Sequence, residues 1–255
     1  MRPLVLLAND DGFRAQGLNA LRQALLPTCD VVVCAPHAEQ SASSHALTLH
    51  RPLRLAEHEP GIFSVDGTPA DAVYVALHSS ARLLSRRPDA VVSGVNHGVN
   101  LGDDVFYSGT VAAAREAALK GLPTLAVSAA PGVSFESAAA LGAELLHALV
   151  QSQTGPILLN VNVPPGEGWK IRATRLGRRI YTDEVEYRQD PRGREYLWLG
   201  GKTVEHRPLA GSDTEAFDEG VVGVTPLVLD LWAQAQGEQA DAVVEMLGEL
   251  RRSRA

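Results

Sequence analysis

Two short apolar runs, Pro3-Leu-Val-Leu-Leu-Ala8 and Asp30-Val-Val-Val-Cys-Ala35, show no alternation of apolar with polar residues. A strand with one face in water alternates. One that does not must be covered on both faces, which is the condition of a parallel sheet with helices above and below it. Between the two runs, Leu18 to Leu26 has helical spacing, and the rhythm returns in Ala90 to Ser93, Val111 to Leu119 and Leu125 to Ser128. The expected fold is therefore α/β: a Rossmann-like, doubly wound, mostly parallel sheet, with ligands at the carboxyl ends of its strands.

The chain of 255 residues has room for one large α/β domain with an appendage. A strand predicted over Ile157 to Val163 closes on Pro164-Pro165, and the regular alternation stops there. The expected division is a catalytic core over residues 1–165 and a region over 166–255 that assembles subunits. The latter should hold a projecting β-hairpin arm between Lys170 and Glu205, turning at Asp190-Pro-Arg-Gly193, then a strand from Val221 to Leu229. A final helix from about Ala233 to Arg252 should carry Val243, Met246, Leu247 and Leu250 on one stripe. Packing of arm and helix on their own domain is the alternative to oligomerisation. Exposed aromatic residues at Tyr181, Tyr187, Tyr196 and Trp198, on a hairpin too small to bury them, argue for a homodimer or homotetramer.

A formal charge of −7 disfavours a stable nucleic-acid partner. Cys29 and Cys34 lack metal-type spacing and read as reduced, buried thiols. The apolar run before Asp10 is too short for a signal-peptide core, and nothing approaches a membrane-spanning length, so a cytoplasmic protein without a membrane partner is expected.

The first run leads directly into Asn9-Asp10-Asp11-Gly12. Adjacent carboxylates at a buried strand end repel unless a cation neutralises them, and an oxygen-only donor set favours Mg²⁺, Mn²⁺ or Ca²⁺. An Asx turn closed by glycine explains the same tetrapeptide without a metal. Ser93-Gly-Val-Asn-His-Gly-Val-Asn-Leu-Gly102 follows a strand, and Asn96 there stands where its carboxamide oxygen can join Asp10 and Asp11. In the polar loop after the second strand, Ser41 is a further possible ligand and His45 a candidate for proton transfer. Ser108-Gly109-Thr110 opens an alanine-rich helix whose free N–H groups suit a phosphate, although a plain N-cap at Ser108 accounts for it too. Gly67-Thr-Pro-Ala-Asp71 reads as a structural helix start, capped by Thr68 with Pro69 at the first position.

Taken together, Asn9-Asp-Asp-Gly12, Ala35-Pro36 with Glu39 and Ser41-Ala42, Gly67 to Asp71, Val92 to Asn96 with Gly98 and Asn100, Ser108 to Val111, and Asn160-Val-Asn-Val-Pro164 resemble the SurE (survival protein E) 5′-nucleotidases. The resemblance implies one divalent cation per subunit, Mg²⁺ or Mn²⁺, on Asp10, Asp11, Ser41 and Asn96. It implies a phosphate surrounded by Asn9, Ser108, Gly109 and Thr110, with Asp10 and Asn9 at the chemistry. The implied substrates are nucleoside 5′-monophosphates, with 3′-monophosphates and short polyphosphate as further ones. Metal-assisted attack of water is the expected route, because no D-x-D nucleophile motif is present. Two other readings compete: a non-enzymatic nucleotide sensor of doubly wound fold, which lacks the glycine fingerprint it would need, and an assembly scaffold.

Overall fold

A computed structural model describes residues 2–152, 155–181, 185–200 and 204–252, without the side chains of Ser80 and residues 248–250. Strands β1 (Leu4–Ala8), β2 (Asp30–Pro36), β3 (Leu55–Glu59), β4 (Ile62–Val65), β5 (Ala90–His97), β6 (Thr124–Ala129), β7 (Leu158–Val163), β8 (Ile171–Ala173) and β13 (Val222–Leu227) form one sheet. Its order is β3-β4-β2-β1-β5-β6-β7-β13-β8. From β4 to β7 every pairing is parallel, whereas β3 and β13 run antiparallel to β4 and β7. The chain goes outward from β1 to β2 and later returns to the other side of β1 with β5. That reversal is a topological switch point, and it brings Asp10 and Asn96 to neighbouring strand ends.

Helices α1 (Gln16–Leu25) and α4 (Phe135–Ser152) cover one face, and α2 (Pro69–His78) and α3 (Gly109–Leu119) the other. Within β1, Val5 and Leu7 join the α1/α4 core, while Leu4, Leu6 and Ala8 join the α2/α3 core. Each β1 side chain is thus buried on alternate faces, which is why the run needs no polar residues. Continued through the strand end, the same parity gives Asp10 to the α3 side.

Elements not expected from the sequence are α4, the β3/β4 hairpin and the short helix Asp213–Asp218. Parallel neighbours require a crossover, and α4 supplies the one between β6 and β7. β3, with Glu57, His58 and Glu59 exposed at the sheet edge, lacks an apolar signature. The strand expected from Ile157 begins at Leu158, and the terminal α-helix (α6) starts at Gly237 after a 3₁₀ turn over Gln234–Gln236. Beyond Pro165, β8 and β13 join the main sheet. β9 (Arg179–Tyr181) pairs with β12 (Val204–His206), and β10 (Val185–Gln189) pairs with β11 (Glu195–Leu199) around the Asp190 turn. Residues 182–184 and 201–203 of the expected arm lie outside the described residues, as does the Leu250 side chain. Short α5 (Asp213–Asp218) precedes β13. Val243, Met246 and Leu247 of α6 are exposed along one stripe. Among the described residues no helix is long and apolar enough to cross a membrane.

Candidate functional site

Beyond the carboxyl ends of β1 and β5 lies a cavity of about 280 Å³, lined by Asp10, Ser41, Asn96, Asn100, Asp104 and Ser108, among others. Asp10 is buried, and Thr110 on α3 donates its hydroxyl to Asp10 Oδ1. Burial pushes the Asp10 carboxyl up from 3.8 to about 6, with the neighbouring Asp11 charge adding to the rise and the Thr110 hydroxyl opposing it. Asp11 is raised too, first by burial. The His97 backbone N–H, 3.4 Å away, works against this, and the charge of Glu39 adds to it.

This packing depends on a residue without a side chain. A Cβ on Gly109 would stand 2.7 Å from Asp10 Cβ, 3.0 Å from its Oδ2 and 3.0 Å from Pro69 Cγ. Only glycine lets the start of α3 close down on the carboxylate. Ser108 caps α3 with its hydroxyl, which accepts the Val111 N–H at 3.1 Å.

The surrounding loops are tied down by backbone and side-chain hydrogen bonds. The Gln40 N–H donates to the Asp10 carbonyl at 2.8 Å, the Ser44 hydroxyl to the Phe106 carbonyl at 2.7 Å, and the Thr48 N–H to Asp71 Oδ1 at 2.8 Å. Ser41 reaches the cavity on this loop, its hydroxyl donating to Glu39 at 2.7 Å. Asn96 follows a register shift in the β5/β6 ladder, and its Nδ2 donates to the Gly98 carbonyl at 2.8 Å, leaving Oδ1 as the end available to a cation. Asn160 and Asn162 on β7 both donate to the Asn100 carbonyl, at 2.8 and 3.0 Å, and the Asn100 N–H donates to Asn162 Oδ1 at 2.7 Å. These asparagines secure the 98–102 loop against the sheet.

The Survival protein SurE family model matches residues 5–183. A protein from Sorangium cellulosum (strain So ce56) named 5'-nucleotidase SurE is 61% identical over 238 residues, covering 91% of this chain and 92% of that one. Another of that name from Anaeromyxobacter dehalogenans (strain 2CP-C) is 54% identical over 231 residues, covering 89% and 90%. The crystal structure of the Sure protein from Aquifex aeolicus superposes with a TM-score of 0.82 at 36% identity, covering 94% of this chain and 99% of that one. The chain belongs to the SurE family.

In this SurE chain the expected residues divide by what their atoms touch. Asp10, Ser41, Asn96 and Ser108 share the cavity wall, whereas Asn9, Asp11, Gly109 and Thr110 are not part of it. Three observations fit a hard cation. The donors are all oxygens, the adjacent carboxyls of Asp10 and Asp11 are both raised, and buried Asn9 keeps Oδ1 without a partner while its Nδ2 donates to the Gly12 carbonyl at 2.9 Å. The Thr110 hydroxyl, expected beside the phosphate, donates to Asp10 Oδ1. His45 differs from its expected part, because Nε2 pairs with Glu116 on α3 at 2.9 Å and the ring is absent from the cavity wall.

Sequence reasoning missed Asp104, Tyr107, Arg179 and Tyr181, all on the wall. Arg179 and Tyr181 both donate to the Asp104 carboxylate. Burial raises the Tyr181 phenol to about 12, and its bond to the Asp104 carboxylate adds to this. It also missed Asp213, a buried carboxylate that accepts the Gly102 N–H at 3.0 Å and the Gly177 N–H at 2.6 Å. Those glycines touch: a Cβ on Gly102, whose φ is +52°, would lie 2.9 Å from the Gly177 carbonyl oxygen.

Proposed function

We propose that this chain is a divalent-cation-dependent phosphomonoesterase that hydrolyses nucleoside 5′-monophosphates to nucleoside and phosphate. The observation that carries the reading is the seat of Asp10, a buried carboxylate beside Asp11, opening onto a cavity that also holds Ser108, the N-cap of α3. The relatives named 5'-nucleotidase SurE support the reaction and the substrate class. Asp10, Asp11, Ser41 and Asn96 would hold one Mg²⁺ or Mn²⁺ per subunit. A cation bound there supplies charge neutralisation, polarisation of the phosphoryl group and a lowered pKa for the attacking water.

The chain's own contribution is placement. Thr110 fixes the Asp10 carboxylate, and the free N–H groups at the start of α3, next to Ser108, favour an anion through the helix dipole. Asn9 offers its unpartnered Oδ1 for orienting water or cation, so Asp10 and Asn9 are assigned to the chemistry. Nothing in that arrangement depends on the base, and nucleoside 3′-monophosphates and short polyphosphate fall within its reach.

Residues 1–165 are assigned the reacting groups, and residues 166–255 assembly into a homodimer or homotetramer through the exposed stripe of α6 and the β10/β11 hairpin. Light scattering should give a multiple of 27.2 kDa; a monomer with full activity would contradict this. A cytoplasmic location is proposed as well, and recovery of the native protein in a membrane or secreted fraction would refute it. The deciding test of function is phosphate release from a panel of 5′- and 3′-nucleotides, short polyphosphate and p-nitrophenyl phosphate, after chelation and after restoring Mg²⁺ or Mn²⁺. Release from nucleoside monophosphates only with metal is expected. Undiminished release in excess chelator, or none from any monophosphate with metal present, would overturn the reading.

A further inference from the structure

We propose that Arg179 contacts the substrate phosphate directly, with Asp104 and Tyr181 holding its guanidinium in place. The inference rests on the phosphomonoesterase reading and adds a residue to that site.

Arg179 and Tyr181 are two apart on β9, so their side chains leave the same face of the strand, and both line the cavity that contains Asp10, Ser41, Asn96 and Ser108. Asp104 receives Nη1 of Arg179 on one carboxylate oxygen and the Tyr181 hydroxyl on the other. The guanidinium carbon also lies over the Tyr181 ring, 5.4 Å from its centroid. Asp104 is anchored in turn, its carbonyl accepting the Ser108 N–H at 3.0 Å and Oδ2 accepting the Leu101 N–H at 3.3 Å. One short segment thus connects the guanidinium to Ser108, the N-cap of α3.

The arrangement fixes the arginine without satisfying it. Nε of Arg179 is buried and has no hydrogen-bond partner. A buried, charged donor left open is costly in isolation, and it is explained when a ligand completes it. Asp10 and Asp104 give the wall two carboxylates, and a phosphate dianion must bind among them. Among the described wall residues Arg179 is the one Lys or Arg, and the planar fork of a guanidinium matches phosphate oxygens in a way an ammonium does not. The competing role is a latch that merely pins β9 to the 101–108 segment. Such a latch does not account for a cationic side chain on the cavity wall whose Nε has no partner.

The test uses full-length, Mn²⁺-loaded protein and inorganic phosphate as the probe, followed by calorimetry, with kinetics on a nucleoside 5′-monophosphate and on p-nitrophenyl phosphate. Arg179→Gln should weaken phosphate binding on the order of ten- to a hundredfold and lower kcat/KM equally on both substrates. Arg179→Lys should fall between the two, keeping charge but losing Nε–H and the fork. Millimolar guanidinium should restore part of the loss in Arg179→Gly. Folded Arg179→Gln with wild-type phosphate affinity would overturn the proposal and leave only the latch. Should the variants fail to fold, ¹⁵N–¹H NMR of the wild type decides. The Arg179 Nε–H, assigned through its contacts to Tyr181, should shift when phosphate saturates the protein, and an unmoved signal would refute the contact. If wild type released no phosphate from any substrate, the nucleotidase reading would fail while the phosphate titration still judged Arg179. If wild type were active and Arg179→Gln matched it in every readout, this inference alone would fall.

Discussion

Gly109→Ala separates helix propensity from close packing, because the two predict opposite signs. The φ of Gly109 is not in the left-handed region, and in an open helix start alanine would gain up to about 1 kcal/mol over glycine. Here the added methyl would stand 2.7 Å from Asp10 Cβ and 3.0 Å from Pro69 Cγ. Neither neighbour is the free end of a flexible chain: Asp10 is buried at the end of β1, and Pro69 is the rigid first residue of α2. Overpacking of this kind costs about 1 to 3 kcal/mol, which exceeds the propensity gain. Less the propensity gain, this leaves up to about 2 kcal/mol, and at about 2 to 4 °C per kcal/mol for a chain of this size the melting temperature should drop by up to roughly 8 °C. The displacement falls on Asp10, so Mn²⁺ binding and phosphatase activity should drop together, and more sharply than stability. Thermal unfolding and metal calorimetry on one sample measure both. A variant that is more stable than wild type and binds Mn²⁺ with unchanged affinity would show that α3 does not rest on Asp10, and the site described here would be wrong at its centre.

Asp10 should also leave a signature in the pH dependence of the metal-free protein. Its folded-state pKa of about 6 lies above the ordinary 3.8, so the folded state holds the proton more tightly. Ionisation therefore costs stability, fully above pH 6, progressively less as pH falls toward 3.8, and not at all below that. Relative to wild type, Asp10→Asn should lose about 1.5 kcal/mol of stabilising advantage between pH 7.5 and pH 5 in urea unfolding; parallel profiles would contradict the buried, strained carboxylate. Thr110→Val removes the donor that opposes this rise, so activity should fall about ten- to a hundredfold on all substrates alike, with the acid limb of the pH–rate profile moved upward. A base-selective loss would instead place Thr110 against the nucleoside. Asp11→Asn should keep the fold, since size is preserved, but weaken Mn²⁺ binding in calorimetry; unaltered affinity would take Asp11 out of the ligand set.

What the sequence disclosed follows from the range of the interactions. β1, β2, β5 and β6 were legible because two-sided burial writes itself into consecutive residues, as Leu4 to Ala8 show. The Asn9-Asp10-Asp11 group was legible because three donors are adjacent in the chain. The partnership of Thr110 with Asp10 spans 100 residues, and those of Arg179 and Tyr181 with Asp104 span 75 and 77. These bonds form only when the sheet brings distant segments together, so neither segment alone discloses that the Thr110 hydroxyl donates to Asp10. His45 misled for the same reason, being paired with Glu116 across 71 residues. For α4 a signal did exist, since the parallel β6/β7 pair demanded a crossover. The alanine-rich composition of Phe135–Ser152, however, blurs the apolar stripe that marks a surface helix.

Asp213 gives the site a place in time as well as in space. The motifs that carried the resemblance all precede residue 165, yet the loop that ends at Gly102 is fastened by a carboxylate 111 residues further on, and the wall holding Arg179 hangs from the same group through Gly177. On the ribosome, where the amino-terminal end emerges first, strands β1 to β7 can pair before the pocket has its clamp. The growing chain therefore carries its acidic cluster for most of its synthesis without the frame that makes it selective. A fragment ending near Pro165 would hold nearly all the recognisable residues and still lack a finished pocket. Truncation in the last quarter of the chain would take away the carboxylate that fastens loops encoded far upstream.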